Sequence, residues 1–276
     1  MKNPVKKIVA VHDLSGYGRC SFSVIMPTLS ALGHQVCAIP TATLSTHTGG
    51  YENFVFRDLT SDIEPMWKHW QDEGFEFDAF YSGFLGSEEQ IEIVERIIST
   101  LSPEVPVFVD PVMGDDGALY STYTEEMKDG MKRLVKKATL ITPNITEACF
   151  LIDEPVKEQF TKEEIENIIF RLKQLTPADV VITGIELENK TGIACLEKNE
   201  VKFYLHEKLD VSYPGTGDIF ASTLIGKLLN SYSLFDASRF ACDFVYELCE
   251  YSRHFDYPKR EGVLLEAKLF HLFEKR

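Results

Sequence analysis

The chain has 276 residues, with 28 Lys and Arg against 43 Asp and Glu, a net charge of −15, and 44% hydrophobic and 26% charged residues. That composition belongs to a soluble globular protein with a sizeable core, and excludes disordered and collagen-like chains. The acidic balance repels a phosphate backbone and argues against nucleic-acid binding. The cysteines Cys20, Cys37, Cys149, Cys195, Cys242 and Cys249 make no C-x-x-C pair and read as reduced thiols. The basic N-terminus leads into a short apolar run that reads as a strand, not a signal peptide. No run of about 18 apolar residues is long enough to span a membrane, so a cytoplasmic location is expected.

Strand-like and helix-like runs alternate along the chain. Strands are expected at Lys7–Val11, Val36–Pro40, Ala79–Tyr81, Val105–Val109, Thr139–Ile141 and Val180–Thr183. Helices are expected at Phe22–Leu32, Ile63–Asp72, Glu88–Leu101, Glu125–Lys136, Thr161–Leu175, Ile219–Asn230, Leu234–Tyr251 and Leu264–Glu274. Thr161 with Glu164 makes a capping box. Gly192–Leu205 breaks the rhythm and reads as a hairpin turning at Lys198-Asn199. The pattern predicts an α/β fold: a single-domain three-layer α/β/α sandwich over residues 1–276, its sheet mostly parallel with a small antiparallel hairpin. Ligands in such sheets bind beyond the carboxyl ends of the strands.

Four segments at those ends carry chemistry. Pro214-Gly-Thr-Gly-Asp218 runs into a helix, so Gly215, Thr216 and Gly217 can turn backbone N–H groups onto an anion beside the positive end of the helix dipole. Asp218 would repel that anion, and makes sense where a hydroxyl must lose its proton; otherwise it is an N-terminal helix residue stabilised by the dipole. Asp110, with Asp115 and Asp116 following, suits a hydrated Mg²⁺ ion or an ordinary turn. Thr142-Pro-Asn144-Ile-Thr-Glu147 is either a helix cap or a polar pair for metal-bound water and phosphate oxygens. The Gly-bearing loop from His12 through Ser15 to Ser21 is too short for a dinucleotide fingerprint and suits a substrate contact. Ser45-Thr-His47-Thr48 is a similar loop. Gly184–Thr191 nearly spells a phosphate-binding P-loop, but Asn189 stands where its second glycine belongs, and a strand follows.

Taken in order, Ser45-Thr-His-Thr48, Asp110-Pro-Val-Met-Gly-Asp115, Ile141-Thr-Pro-Asn144 to Glu147 and Gly215-Thr-Gly-Asp218 resemble the ribokinase-like superfamily, and within it the vitamin B6 kinases. The resemblance covers nearly the whole chain. It implies ATP-dependent phosphorylation of the 5′-hydroxymethyl group of pyridoxal, pyridoxine or pyridoxamine, with Mg²⁺ and often a monovalent cation such as K⁺, in a homodimer. By position, Asp218 would be the catalytic base and Gly215, Thr216 and Gly217 the anion hole. Asp110, Thr142, Asn144, Glu147, Thr183 and Gly184 would bind ATP or its phosphates. Asp110, Asp115 and Glu147 would serve Mg²⁺ directly or through its waters. His12, Ser15, His47, Thr48, Tyr81 and Tyr120 would face the vitamer. The loop Asp13-Leu-Ser15-Gly is also similar to that of the hydroxymethylpyrimidine kinases, which supplies the alternative substrate. A ribokinase-like fold that only binds ligands is a further alternative.

Overall fold

The computed structural model describes residues 4–273, which form two compact units: 4–78 with 209–273, and 79–208. The first unit opens on strand β1 (Lys7–Ser15), helix α1 (Phe22–Ala31) and strand β2 (Gln35–Leu44). β1 and β2 run parallel, from Lys7 opposite Gln35 to Ser15 opposite Leu44, with an irregularity between His12 and Leu14. Ile8, Val9, Ala10 and Val11 are all fully buried, as befits a strand covered on both faces. A three-residue strand β3 (Phe56–Asp58) pairs antiparallel with β2, and helix α2 (Thr60–Asp72) follows. β3 was not expected: three exposed residues carry no alternation to read.

The second unit contains β4 (Ala79–Ser82), α3 (Glu88–Ser99), β5 (Val107–Val109), the two-residue strands β6 (Gly114–Asp115) and β7 (Ala118–Leu119), α4 (Glu125–Leu134) and β8 (Leu140–Ile141). They continue into α5 (Ile145–Leu151), α6 (Lys162–Leu175), β9 (Asp179–Leu187), β10 (Lys190–Glu197) and β11 (Glu200–Glu207). Within it the strand order is β11-β10-β9-β8-β5-β4, parallel from β4 to β9 and antiparallel from β9 to β11. α3 buries Ile91, Val94, Ile97 and Ile98 along one stripe, and Ser87 caps it by accepting the Gln90 N–H. Thr161 and Glu164 form the expected capping box at α6. The expected hairpin turns at Lys198 and Asn199, which take φ 53° and 66°, the left-handed pair that suits a two-residue turn. It ends in the outermost strand, β11. The near-P-loop is itself a hairpin: β9 ends at Leu187 and β10 begins at Lys190.

The chain then returns to the first unit with α7 (Thr216–Leu229) and α8 (Leu234–Ser252). The expected terminal helix Leu264–Glu274 does not form. Its described part makes only short 3₁₀ turns at Leu265–Ala267 and Leu269–Leu272, and Glu274 lies outside the described residues. The spacing of leucines misled here because packing, not a helical stripe, sets it. Val263, Leu265 and Leu272 each drop into one core cluster with Val24, Leu32, Ile219, Phe244 and Leu248. The backbone bends between them, and the Leu264 N–H donates to the Ser252 hydroxyl at 2.9 Å.

Candidate active site

In the first unit, α7 begins immediately after the glycine turn. Gly215 is its N-cap with φ 78°, a left-handed conformation that glycine adopts without strain. The backbone of Arg19 and Cys20 lies so close that a Cβ on Gly215 would collide with the Arg19 carbonyl, whereas Gly217 has open space around it. Thr216 donates its hydroxyl to the Tyr213 carbonyl at 3.1 Å. The first-turn N–H groups of α7 lie at the positive end of the helix dipole, an arrangement able to hold an anion.

Asp218 sits in that first turn with its side chain 12% exposed. Its Oδ2 accepts the Ser21 N–H at 2.7 Å, and its Oδ1 lies 3.1 Å from His12 Nε2. His12 Nδ1 is 2.9 Å from Asp13 Oδ1, and Asp13 Oδ2 accepts the Ser15 hydroxyl at 3.2 Å. Burial alone would lower the His12 pKa. The charge of Asp218 and the hydrogen bonds to Asp13 and Asp218 outweigh it and raise the pKa to about 10. Burial would raise the Asp13 pKa, but the bond to His12 and its charge hold the carboxyl below the ordinary range.

His12 and Ser15, expected at the substrate, thus spend their polar atoms on Asp13 and Asp218. His47 is occupied too: Nε2 donates to the Arg260 carbonyl at 2.6 Å and Nδ1 accepts the Gly49 N–H at 3.2 Å. Thr48 beside it is exposed. The segment around residues 258–262 ties down both loops. The Arg19 N–H donates to the Glu261 carbonyl at 2.9 Å, the Tyr17 hydroxyl to Glu261 Oε1 at 2.9 Å, and Arg260 stacks over Tyr51.

In the second unit, β5 is followed by Asp110, whose Oδ1 accepts the Thr142 hydroxyl at 3.0 Å. Asn144 and Glu147 do form the capping box of α5. They also grip the turn after Asp110: Glu147 Oε1 accepts the Met113 N–H at 3.0 Å, and Asn144 Nδ2 donates to the Gly114 carbonyl at 2.8 Å. Thr146 adds a third hold by accepting the Gly117 N–H at 3.0 Å. Glu147 is 4% exposed, and its carboxyl is pushed well up, first by burial and then by the charge of Asp110, against the pull of the Asn144 and Met113 N–H groups. Among the described residues no group of three His, Cys, Asp or Glu side chains is arranged to ligate a metal directly. Oxygen donors with crowded negative charge fit a Mg²⁺ ion that keeps its waters. Thr183 pairs with Asn144 across a lone bridge, and Gly184 follows with φ 63°. Tyr81 is fully buried in β4, and Tyr120 is 40% exposed after β7.

Ser21, Thr146 and the backbone at Met113 and Gly114 lie inside segments that stand out in the sequence, yet nothing there gives them a role of their own, because each acts through main-chain geometry or a distant contact.

A mostly parallel α/β sheet together with a glycine turn, a helix N-terminus and a carboxylate in that helix's first turn is the arrangement of a phosphotransferase of the ribokinase-like class. The chain belongs to the phosphomethylpyrimidine kinase family, which it matches over residues 26–262. It is 27% identical over 246 residues to the pyridoxine/pyridoxal/pyridoxamine kinase of Bordetella avium, a match spanning 82% of this chain and 79% of that protein. A Bacteroides thetaiotaomicron protein assigned as a phosphomethylpyrimidine kinase superposes with TM-score 0.96 at 40% identity, over 100% of this chain and 96% of that one. A second crystal form of it was solved with pyridoxal, and superposes with TM-score 0.93 over 97% of this chain and 96% of that one. The pyridoxal kinase of Lactobacillus plantarum superposes with TM-score 0.89 at 30% identity, over 97% of this chain and 96% of that one. No helix among the described residues is long and apolar enough to cross a membrane.

Proposed function

We propose that the protein is an ATP-dependent kinase that phosphorylates the 5′-hydroxymethyl group of a B6 vitamer and so serves pyridoxal 5′-phosphate salvage. The observation that carries this reading is Asp218, held in the first turn of α7 directly after the Gly215–Gly217 turn. The substrate hydroxyl oxygen forms a bond to the γ-phosphorus as the bond to the β-phosphate oxygen breaks. The hydroxyl proton passes to the Asp218 carboxylate, and ADP leaves. The Gly215, Thr216 and Gly217 N–H groups stabilise the transferring oxygens, since phosphoryl transfer depends on positioning and charge neutralisation. Asp110, Asp115 and Glu147 would hold a hydrated Mg²⁺ ion, which when bound neutralises phosphate charge. Asp110, Thr142, Asn144 and Glu147 would bind ATP or its phosphates, while Thr183 and Gly184 would serve the nucleotide. Thr48, Tyr81 and Tyr120 are assigned to the vitamer. A K⁺ requirement, a homodimer and a cytoplasmic location belong to the same reading.

The pyridoxal-containing form of the 40%-identical relative and the 30%-identical pyridoxal kinase support the B6 substrate. The family description and the Asp13-Leu-Ser15-Gly loop favour a second substrate, hydroxymethylpyrimidine. Coupled ADP-release assays with pyridoxal, pyridoxine, pyridoxamine and hydroxymethylpyrimidine separate the two. The expected result is a kcat/KM for at least one vitamer about tenfold or more above that for hydroxymethylpyrimidine, roughly 1.4 kcal/mol of transition-state binding. Equal or reversed values would transfer the protein to the second reading, and no ADP release with any of the four would leave only ligand binding.

A further inference from the structure

His12 uses both ring nitrogens on carboxylates, Nδ1 at 2.9 Å from Asp13 and Nε2 at 3.1 Å from Asp218. The residue is 2% exposed, and its ring lies edge-on to Phe22 with centroids 6.1 Å apart. A neutral imidazole carries one N–H and can donate to one carboxylate only. With that N–H on Nε2, Nδ1 accepts the Asp13 N–H at 2.9 Å, but it also turns its lone pair toward Asp13 Oδ1 at 2.9 Å, where little water screens the repulsion. The imidazolium donates to both.

We infer that His12 is a positioning residue whose imidazolium, braced by Asp13, holds the Asp218 carboxylate fixed in orientation for proton transfer. This rests on the reading of Asp218 as the base. Two charge-assisted donors, the His12 ring and the Ser21 N–H, each take one oxygen of Asp218 and fix the carboxylate plane. Each oxygen keeps a second lone pair for the substrate proton. Without the cation, Asp13 and Asp218 would be two carboxylates separated by one buried side chain, with nothing between them to offset their repulsion.

The charged groups facing the ring are Asp13 on β1 and Asp218 on α7. The nearby Cys20, ahead of α1, has its thiol pushed well up by burial and by both carboxylates, so it stays neutral. The stabilisation that lifts His12 to about 10 therefore comes from the two carboxylates it bridges. The cluster of two carboxylates and one imidazolium carries a net charge of −1, which arrival of the substrate proton discharges.

Nitrogen-15 NMR of the imidazole rings in the ligand-free full chain tests this without any substrate. His12 is expected to stay an imidazolium to about pH 8 or beyond in the wild type, and Asp218→Asn is expected to lower its titration midpoint by about a unit or more. A His12 that titrates near the free value of about 6.5, or one that ignores Asp218→Asn, overturns the inference. The split between kcat and KM gives the catalytic readout. His12→Leu is expected to cut kcat at neutral pH about tenfold, with the KM for ATP within about twofold. His12→Gln keeps an N–H for Asp218 but no charge and is expected to recover part of the loss, leaving kcat about threefold below wild type; a wild-type kcat in this variant refutes the role, so it carries the test if the leucine variant fails to fold. An unchanged kcat in folded His12→Leu also refutes the role. Failure of the wild type to phosphorylate any vitamer defeats the functional reading instead, and the NMR titration still decides the state of His12.

Discussion

The Ser21 N–H reaches Oδ2 of Asp218 at 2.7 Å from a backbone conformation, φ 57° and ψ −139°, that a side chain strongly disfavours. Ser21 is also the N-cap of α1, yet its side chain makes no capping hydrogen bond. The residue accepts backbone strain in order to aim a donor at Asp218. Strain of this kind costs about 1–3 kcal/mol and persists where the surroundings enforce it. Ser21→Gly should relieve it while leaving the N–H in place. We expect unfolding free energy to rise by about 1 kcal/mol, after glycine's own entropic cost is subtracted, with kcat within about twofold. Urea unfolding and steady-state assays check both, and a destabilised Ser21→Gly would remove the strain argument.

Asp218→Asn removes the carboxylate of the proposed base but keeps side-chain volume. Turnover should fall by about a hundredfold or more while the KM for ATP changes little. Retention of most of the wild-type rate would take the base assignment away from Asp218.

Gly215 and Gly217 should respond differently to alanine. At Gly215 the new Cβ meets the Arg19 carbonyl and the φ of 78° is unfavourable, so Gly215→Ala should cost about 1–3 kcal/mol of stability and lower turnover more than tenfold. At Gly217 there is open space and no left-handed φ, so the alanine variant should stay within about 0.5 kcal/mol of wild type. Thermal denaturation of both variants reads the contrast, and equal losses would contradict the steric account.

Stability should depend on pH through His12, whose pKa rises from 6.5 to about 10 on folding. Below 6.5 the imidazole is charged in both states and its full contribution is present. As pH climbs toward about 10 the unfolded chain releases this proton while the folded chain retains it, so the contribution declines across that window and is gone above it. Unfolding free energy should therefore fall more steeply with rising pH in the wild type than in His12→Gln. Parallel curves for the two proteins would exclude the linkage.

Glu147 holds the Met113 and Asn144 N–H groups with one oxygen each. In Glu147→Gln an NH₂ group must face one of those donors, which should cost about 1–3 kcal/mol of stability. The Mg²⁺ concentration for half-maximal activity should rise about tenfold, with the vitamer KM little changed. A magnesium titration that matches wild type would separate Glu147 from the metal.

Local chemistry made much of this protein readable in advance. The alternation of β-branched strands with amphipathic helices predicted a mostly parallel α/β arrangement. The capping box at Thr161 and the turn at Lys198-Asn199 needed only neighbouring residues, as did the glycine turn opening the helix that bears Asp218. Tertiary structure decided what depends on distant partners. Leu264–Phe273 has helical spacing, yet its side chains are drawn separately into a core supplied by α1, α7 and α8, and the backbone follows them. His12 and Ser15 read as substrate contacts because a polar residue after a strand has no visible partner in sequence. Folding brings His12 to Asp218 from 206 residues away, and there the Asp218 and Asp13 carboxylates, against the pull of burial, raise its imidazole pKa to about 10. Propensity and periodicity act over a few residues and are written in the chain; burial and charge pairing exist only once the chain has closed around them.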